Sequence, residues 1–334
     1  MKKRDQRTRV IKLLHILQRQ TDEEHPLNAT QLAAELLRQG VVACDRKTIY
    51  ADLAALEKEG YDIIYSHARP TGYFLASRLF ETAEVGLLAD AVLSADFITR
   101  KKTRELTQKL SALLNNFKAD ELKTRFCFFS KDKTANEQIY YNIDALRQAI
   151  RQKDKVTLGY QRHLLQNGTS PQKTTRELTV SPYAMLWAND HYYLVCNYQK
   201  YNNLMHLRLD RIVGVTPLTE PARPFSEVSE YTTTFDIADY AAKTFNMFGG
   251  EPATVKLQCK AELLEQILDR FGEDLYIQKC SEESFIFTAK ARLSEGLTGW
   301  ILQFGSGITV LQPASLAAAV TTAAKELLKN YKSV

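Results

Sequence analysis

The spacing of apolar residues changes near residue 139, and this change limits the fold more than any other feature of the sequence. Before it, apolar residues recur every three or four positions, as they do on helices. After it, short runs rich in β-branched and aromatic residues follow one another, which is typical of strands. A chain of 334 residues is long enough for two or three domains. The sequence therefore predicts a multidomain α+β protein.

A helix is predicted between Asp45 and Gly60, with Asp45 as its N-cap and Gly60 just past its end. Ile49, Leu53 and Leu56 fall at i, i+4 and i+7, so one side is apolar and is expected to be buried. The other side begins with long polar side chains: Arg46, Lys47, Thr48 and Tyr50. Taken alone, such a cluster indicates an ordinary solvated helix face.

Two more helices and a hairpin surround this helix. One helix contains Leu13 and Leu17, and a second runs from Asn28 to Gln39. Extended runs on either side of residues 70–72 predict a hairpin. Three helices and a hairpin make a winged helix-turn-helix, whose third helix enters the major groove of DNA. We therefore expect six residues to contact bases or phosphates: Arg46, Lys47, Thr48 and Tyr50 on the helix, and His67 and Arg69 at the wing tip.

The run D-R-x-T-I-x-x-D-L-x-x-L-E-x-x-G, residues 45–60, resembles the helix-turn-helix of DeoR-type and WYL-type bacterial regulators. The resemblance implies double-stranded operator DNA as a partner.

Composition indicates a cytoplasmic protein without a membrane segment. The five cysteines are scattered and never at C-x-x-C spacing, so neither a disulfide framework nor a thiolate metal site is expected. The first residues lack the apolar core of a signal peptide. They form a basic arm that is suited to phosphates, although it could equally be a solvated tail: Lys2, Lys3, Arg4, Arg7, Arg9 and Lys12.

Residues 81–137 are interpreted as a helical connector without a chemical motif. One helix is expected from Phe80 to Phe97, with Thr82 as its cap, and another from Lys102 to Phe117. Residues 118–137 are expected to be irregular.

Residues 138–220 contain a short helix at 142–150 and then six short β-rich runs, with a turn at Asn167-Gly168, which favours a small barrel. The runs SPYAMLWANDHYYLVCNY (181–198) and HLRLDRI (206–212) resemble the WYL domain, an SH3-like or Sm-like barrel of bacterial regulators. Tyr192-Tyr193-Leu194 stands where the family has Trp-Tyr-Leu.

The WYL resemblance implies a polar pocket made by Ser181, Tyr183, Tyr193, His206, Arg208 and Arg211. Tyr160 is a weaker candidate. Two guanidiniums with hydroxyls and an imidazole suit a phosphate or carboxylate, and the tyrosines could stack on a base. Alternation along a strand places His206 and Arg208 on one face. Without the family, core tyrosines and a surface pair between Arg211 and Asp210 would explain these residues.

Catalysis has little support in the sequence. Ser181 could belong to a small-ester hydrolase, together with His191 or His206 and Asp190 or Asp210, but no G-x-S-x-G run surrounds it. The glycines at 305–307 precede a strand rather than a helix, so they do not form a dinucleotide fingerprint, and the histidines lack metal spacing. We therefore expect no enzyme activity, cofactor or metal.

The last third of the chain begins with a Pro-, Ser- and Thr-rich stretch, residues 221–250, interpreted as a linker. Residues 251–334 then follow a βαββαβ order with an extra helix, which predicts a ferredoxin-like domain. This part resembles the WCX-type extension that follows WYL domains. Its last helix is expected to pack into the core or to form a dimer contact through Leu316, Val320, Ala323 and Leu327.

Together these features predict a ligand-responsive transcription regulator, dimeric and specific for a DNA sequence. Its winged domain is residues 1–80, and its sensor at 138–220 would bind an anionic small molecule, a nucleotide or single-stranded nucleic acid. An alternative is a module whose main task is to bind single-stranded RNA or DNA. The hydrolase is a more remote alternative.

Overall fold

Residues 3–125, 133–166, 170–231 and 235–332 are described by the structure, a computed structural model. The chain divides into two compact units, Met1–Ala135 and Asn136–Val334. Both mix helices and sheet, so the expected α+β class is confirmed. Among the described residues, no helix has the length and apolar character that crossing a bilayer requires.

Residues 3–75 form three helices and a hairpin in the predicted order. The helices are α1 (Lys3–Gln20), α2 (Ala29–Arg38) and α3 (Arg46–Lys58), and the hairpin strands are β1 (Ile63–Ser66) and β2 (Gly72–Leu75). Asn28 caps α2 through a reciprocal box with Gln31, and the Asp45 carboxylate accepts the Thr48 backbone N–H at 2.8 Å. These local caps explain why the helices begin where the sequence predicts.

The core of this bundle is one apolar cluster to which every element contributes. Burying each aliphatic side chain contributes about 1.5–3 kcal/mol. The cluster includes Leu13, Ile16, Leu17, Leu32, Leu36, Ile49, Leu53, Leu56, Ile63 and Leu75.

The hairpin is fixed to the loop before α2 by a short bridge. Leu27 and Tyr73 exchange two backbone hydrogen bonds, of 3.0 and 2.8 Å. A Cβ on Gly72 would lie 2.5 Å from the Leu27 carbonyl carbon, so only glycine permits this approach.

The connector contains α4 (Thr82–Ser94), α5 (Arg100–Ser111) and α6 (Asn116–Arg125). Three sequence predictions were wrong here. The capping position of α4 is Glu81 rather than Thr82, because the Glu84 carboxylate accepts the Glu81 backbone N–H at 2.9 Å. Residues 118–125 are helical rather than irregular, and the second predicted helix is divided between α5 and α6.

The second unit begins with α7 (Ile139–Gln152), which is followed by one antiparallel sheet whose strands differ in length. Its strands are β3 (Asp154–Gln166), β4 (Ser170–Ala188), β5 (His191–Tyr198), β6 (Met205–Arg208) and β7 (Ile212–Pro221), in the order β6-β5-β4-β3-β7. Among the described residues β6 and β7 are opposite edges, so the sheet is not the closed barrel that the sequence predicted. A 3₁₀ turn at Leu209–Arg211 redirects the chain, and β7 pairs with β3 instead of β6.

Two strands predicted at 175–180 and 183–187 are one long strand, β4. The register between β4 and β5 shifts between Pro182 and Ala184, which leaves Tyr183 as an extra residue. Such a bulge accommodates a proline that cannot donate to the ladder. The predicted turn at Asn167-Gly168 lies outside the described residues.

The stretch interpreted as a linker contributes to a core instead of connecting two domains freely. It contains α8 (Ile237–Lys243), and its buried Val228, Tyr240 and Met247 pack with Ala184 and Val195 of the sheet.

The last part follows the predicted element order. It comprises β8 (Glu251–Lys260), α9 (Leu264–Phe271), β9 (Ile277–Lys279), β10 (Ser284–Leu293), α10 (Glu295–Leu302), β11 (Ile308–Gln312) and α11 (Ala314–Lys332). The sheet order is β11-β8-β10-β9, with antiparallel neighbours. On α11, Leu316 is buried and Val320 packs against the core, but Leu327 is 49% exposed, so the expected apolar contact does not extend along the helix.

Candidate functional sites

The first candidate site is the α3–hairpin surface, which we define as Arg46, Lys47, Thr48, Tyr50, His67 and Arg69. All are exposed except the half-buried Thr48. Tyr50 exposes 47% of its surface, whereas Ile49 is fully buried and Leu53 is 3% exposed. The apolar stripe of α3 therefore faces its own core, and its polar side remains open in this unit.

A row of aromatic rings that was not predicted from the sequence joins α3 to the hairpin. Tyr65 and Tyr73 are cross-strand partners whose ring centroids lie 4.9 Å apart. Tyr73 reaches Tyr50 at 6.3 Å, and Tyr65 meets His67 edge-on at 4.9 Å. Period-two alternation, which places Tyr65 and His67 on one face, could have indicated this row.

A buried ion pair fixes α3 to α1. The Arg9 guanidinium donates to both carboxylate oxygens of Asp52, at 2.5 and 2.8 Å, and the two residues are only 3% and 4% exposed. This hydrogen bonding raises the pKa of Arg9. Lys12 donates to the Gln39 carbonyl. Arg9 is therefore occupied inside the protein and does not belong to a phosphate-binding arm, whereas Lys12 is half-buried with one donor engaged.

The second candidate site is the predicted WYL pocket, whose seven residues the structure distributes over three places. The first is the Arg208 cluster, which we define as Tyr160, Tyr193, Arg208, Asp210 and Arg211. Arg208 lies opposite Tyr193 in the β5–β6 ladder. It donates to both oxygens of the Asp210 carboxylate, at 3.1 and 2.7 Å, which raises the pKa of Arg208.

Burial and the nearby guanidiniums shift the pKa of Tyr193 in opposite directions. Burial raises the pKa of Tyr193, and the guanidiniums of Arg208 and Arg211 oppose that rise. Tyr160 is buried and Arg211 is exposed. Asp210 already occupies the fork of Arg208, so an anionic ligand would exchange with that carboxylate or bind beside it.

Ser181 and Tyr183 hold the backbone of residue 223. The Ser181 hydroxyl accepts the Arg223 backbone N–H at 2.9 Å, and the Tyr183 hydroxyl donates to the Arg223 carbonyl at 2.9 Å. Burial raises the pKa of Tyr183 to about 12, so it remains a neutral donor. These two hydroxyls anchor the chain at Arg223. Their hydrogen bonds are made to that backbone instead of to a member of the Arg208 cluster.

His206 is placed in a third environment. A hydrogen bond of 2.8 Å joins its Nε2 to the Tyr240 hydroxyl. Burial, together with the charge of Arg292, lowers the pKa of His206 to about 4, so the imidazole is neutral near pH 7. The Arg292 guanidinium lies 4.5 Å from the Tyr240 ring centroid and pairs with Glu230. His206 and Arg208 thus have different partners although they alternate onto one strand face.

The contacts give the hydrolase alternative no geometric support among the described residues. The Ser181 hydroxyl is bonded to a backbone N–H, and His206 is bonded to a phenol. No group of three His, Cys, Asp or Glu side chains in the described part of the chain is arranged to hold a metal ion. Cys127 lies outside the described residues.

Comparison with known proteins identifies two domains in the second unit. The WYL domain model matches residues 141–217, and the WCX domain model matches residues 251–328. The chain therefore contains a WYL domain and a WCX domain, which confirms both resemblances. No curated protein matches the chain significantly.

Among solved structures, the chain is similar to proteasome accessory factor B/C (PafBC) of Arthrobacter aurescens. The identity is 16% and the TM-score is 0.30. The match covers 94% of this chain and 47% of that chain, so this chain spans about half the length of the PafBC chain.

Proposed function

We propose that the protein is a sequence-specific, DNA-binding transcription regulator. The observation that carries this proposal is the α3–hairpin surface. Its cations and Tyr50 are exposed, while the apolar face of the same helix is buried. Three helices and a hairpin support a winged helix-turn-helix, in which α3 enters the major groove and the hairpin acts as the wing.

The rigidity of this unit supports the same conclusion. A reading helix must be held in a fixed orientation for its side chains to meet base edges. The Arg9–Asp52 pair and the bridge between Leu27 and Tyr73 fix α3 and the hairpin to the same core. The row of aromatic rings continues the polar side of α3 from Tyr50 to Tyr73 and Tyr65 of the hairpin, where the rings can contact sugars and phosphates.

The WYL domain is proposed to sense an anionic ligand at the Arg208 cluster. Two guanidiniums and the half-buried Tyr193 phenol provide donors and a flat face suited to a nucleotide or to single-stranded nucleic acid, with the buried Tyr160 beneath them. Ser181, Tyr183 and His206 would support the site from a distance, because each is bonded to another segment. Release of Asp210 from Arg208 is the local change that ligand binding would cause.

The WCX domain, whose strand order fits a ferredoxin-like fold, is proposed to contribute to a homodimer. The C-terminal end of α11 exposes Leu327, Leu328 and Tyr331. A dimer would present two α3 helices to half-sites about 34 Å apart, and the ligand would change the spacing of these helices.

Selection of bound fragments from genomic DNA, followed by footprinting, tests whether the protein binds a specific duplex sequence. Protection of one recurrent duplex sequence is expected. Binding that increases only with the length of unpaired strands would contradict the proposal.

A second candidate function, binding of single-stranded nucleic acid by the WYL sheet, is favoured by one accessible cation–ring pair. The exposed Arg176 lies 6.0 Å from the ring centroid of the half-buried Tyr198. This pair could bind a base and its phosphate together. The same footprint experiment separates the two functions.

A further inference from the structure

A polar cavity of about 770 Å³ lies in the N-terminal unit beside the C-terminal half of α1. We call it the α1 cavity. Its walls come from α1, from the chain after β2 and from the segment between α5 and α6. Its volume is within the range of small-molecule sites. It shares no residue with the α3–hairpin surface and belongs to neither the WYL nor the WCX domain.

The lining of the α1 cavity is rich in donors and carries positive charge. Its polar members include two guanidiniums, an imidazole and four side-chain amides: Arg19, Arg78, His15, Gln18, Gln20, Gln39 and Asn116. None of the described residues that line it is Asp or Glu. A cavity of this composition attracts an anion and can hydrogen-bond several of its oxygens.

Arg78 is held in place by backbone carbonyls, and none of the carboxylates that the structure describes is in direct contact with it. Its Nη1 and Nη2 donate to the carbonyls of Gln18 and Thr21, both at 2.6 Å. These contacts use two of the five N–H donors of a guanidinium. Burial lowers the pKa of Arg78, while Asp22 and Glu81 act on it only through their charge.

Among the described residues, Glu35 accepts a hydrogen bond from the lining residue Gln20, but no acid bonds to either guanidinium of the cavity. The two carboxylate oxygens of Asp22 lie 2.7 Å from His25 Nδ1 and 2.8 Å from Asn115 Nδ2. Arg19 makes one long contact, 3.3 Å from Nη1 to the Leu114 carbonyl oxygen, so it can turn toward a ligand. The cavity therefore holds one fixed and one adjustable guanidinium.

We propose that the α1 cavity binds a small phosphate-bearing molecule, with Arg78 as the fixed anion ligand and Arg19 as the arm that closes on it. Phosphate oxygens match the planar fork of arginine, and the side-chain amides supply further donors. The proposal does not depend on DNA binding or on the Arg208 cluster.

Calorimetric titration of pyrophosphate into the full chain at low ionic strength tests this site. Saturable binding of one pyrophosphate that depends on Arg19 is expected. Arg19→Gln should weaken it about tenfold, the effect of losing one charge-assisted hydrogen bond. Arg78→Lys keeps the charge but lacks the fork, and it should weaken binding by a similar factor while the thermal unfolding midpoint shows that the chain is folded.

Arg104→Gln is the matched control, because Arg104 is an exposed arginine on α5 outside the cavity lining. It should bind pyrophosphate like the unaltered chain. The proposal is overturned by the absence of saturable binding, by unchanged affinity in Arg19→Gln, or by equal losses in Arg19→Gln and Arg104→Gln. Binding that is lost only when Arg208 is substituted would assign the anion to the WYL domain and would also overturn it.

Discussion

Arg9 and Asp52 form a two-bond ion pair that is almost completely removed from water, 43 residues apart in sequence. The pair joins α1 to the middle of α3, on the buried side of the helix that carries the exposed cations. Arg9 Nη1 is buried and has no hydrogen-bond partner among the described residues. The guanidinium therefore depends on one carboxylate for its stability in the core.

Asp52→Asn is expected to lower the free energy of unfolding by about 3–5 kcal/mol, because it leaves the Arg9 charge buried without a counter-charge. Urea unfolding followed by circular dichroism measures the loss. The double variant Arg9→Met/Asp52→Leu should recover most of it, because two apolar side chains replace the whole pair. Equal stability of Asp52→Asn and the unaltered chain would show that the pair is not energetically coupled.

Stability of the WYL region should depend on the protonation of His206. Its pKa is about 4 in the folded chain and near 6.5 when unfolded, so between these values the unfolded state binds more protons. Stability then rises with pH through this window and falls as pH decreases from about 6.5 to 4. The contribution is about 3 kcal/mol.

His206→Gln keeps a polar partner for Tyr240 but cannot titrate. Thermal unfolding measured at several pH values should show a smaller pH dependence between 4 and 6.5 in this variant. His163→Gln is the control, since His163 is exposed, and it should keep the full dependence. A profile of His206→Gln that matches the unaltered chain would place the titration elsewhere.

Local signals in the sequence predicted the helices and strands well. Asp45 and Asn28 cap α3 and α2 because a side-chain oxygen reaches an N–H two or three residues away, and this geometry is visible in sequence spacing. The order of elements after Glu251 was predictable because the apolar periodicity that distinguishes helices from strands is also local.

Long-range partners could not be predicted in this way. The basic stretch around Arg9 resembles a solvated arm, and only the folded chain brings Asp52 to it. His206 and Arg208 share a strand face, but Tyr240 and Asp210 draw them into different networks. The aromatic residues at 225–235 are spaced as in a linker, and their burial depends on contacts with the sheet.

Lys47→Ala and Arg46→Ala should each weaken binding to the selected operator by about 1–3 kcal/mol if the side chain contacts a base edge. Fluorescence anisotropy with the operator and a scrambled duplex measures affinity and preference. Lys58→Ala is the matched control, because Lys58 is an exposed cation at the far end of α3. Affinity and preference that do not change in the two N-terminal variants would mean that α3 is not the reading helix.

The double variant Arg208→Gln/Arg211→Gln should preserve the fold and remove anion sensing by the WYL domain. Titration with a short single-stranded oligonucleotide should show that its affinity for the double variant is lower by about tenfold or more. Arg147→Gln, an exposed arginine on α7, is the control. Asp210→Asn should act in the opposite direction, because it frees the Arg208 fork from a competing carboxylate. Unchanged or tighter binding in the double variant, or weaker binding in Asp210→Asn, would show that the Arg208 cluster is not the anion site.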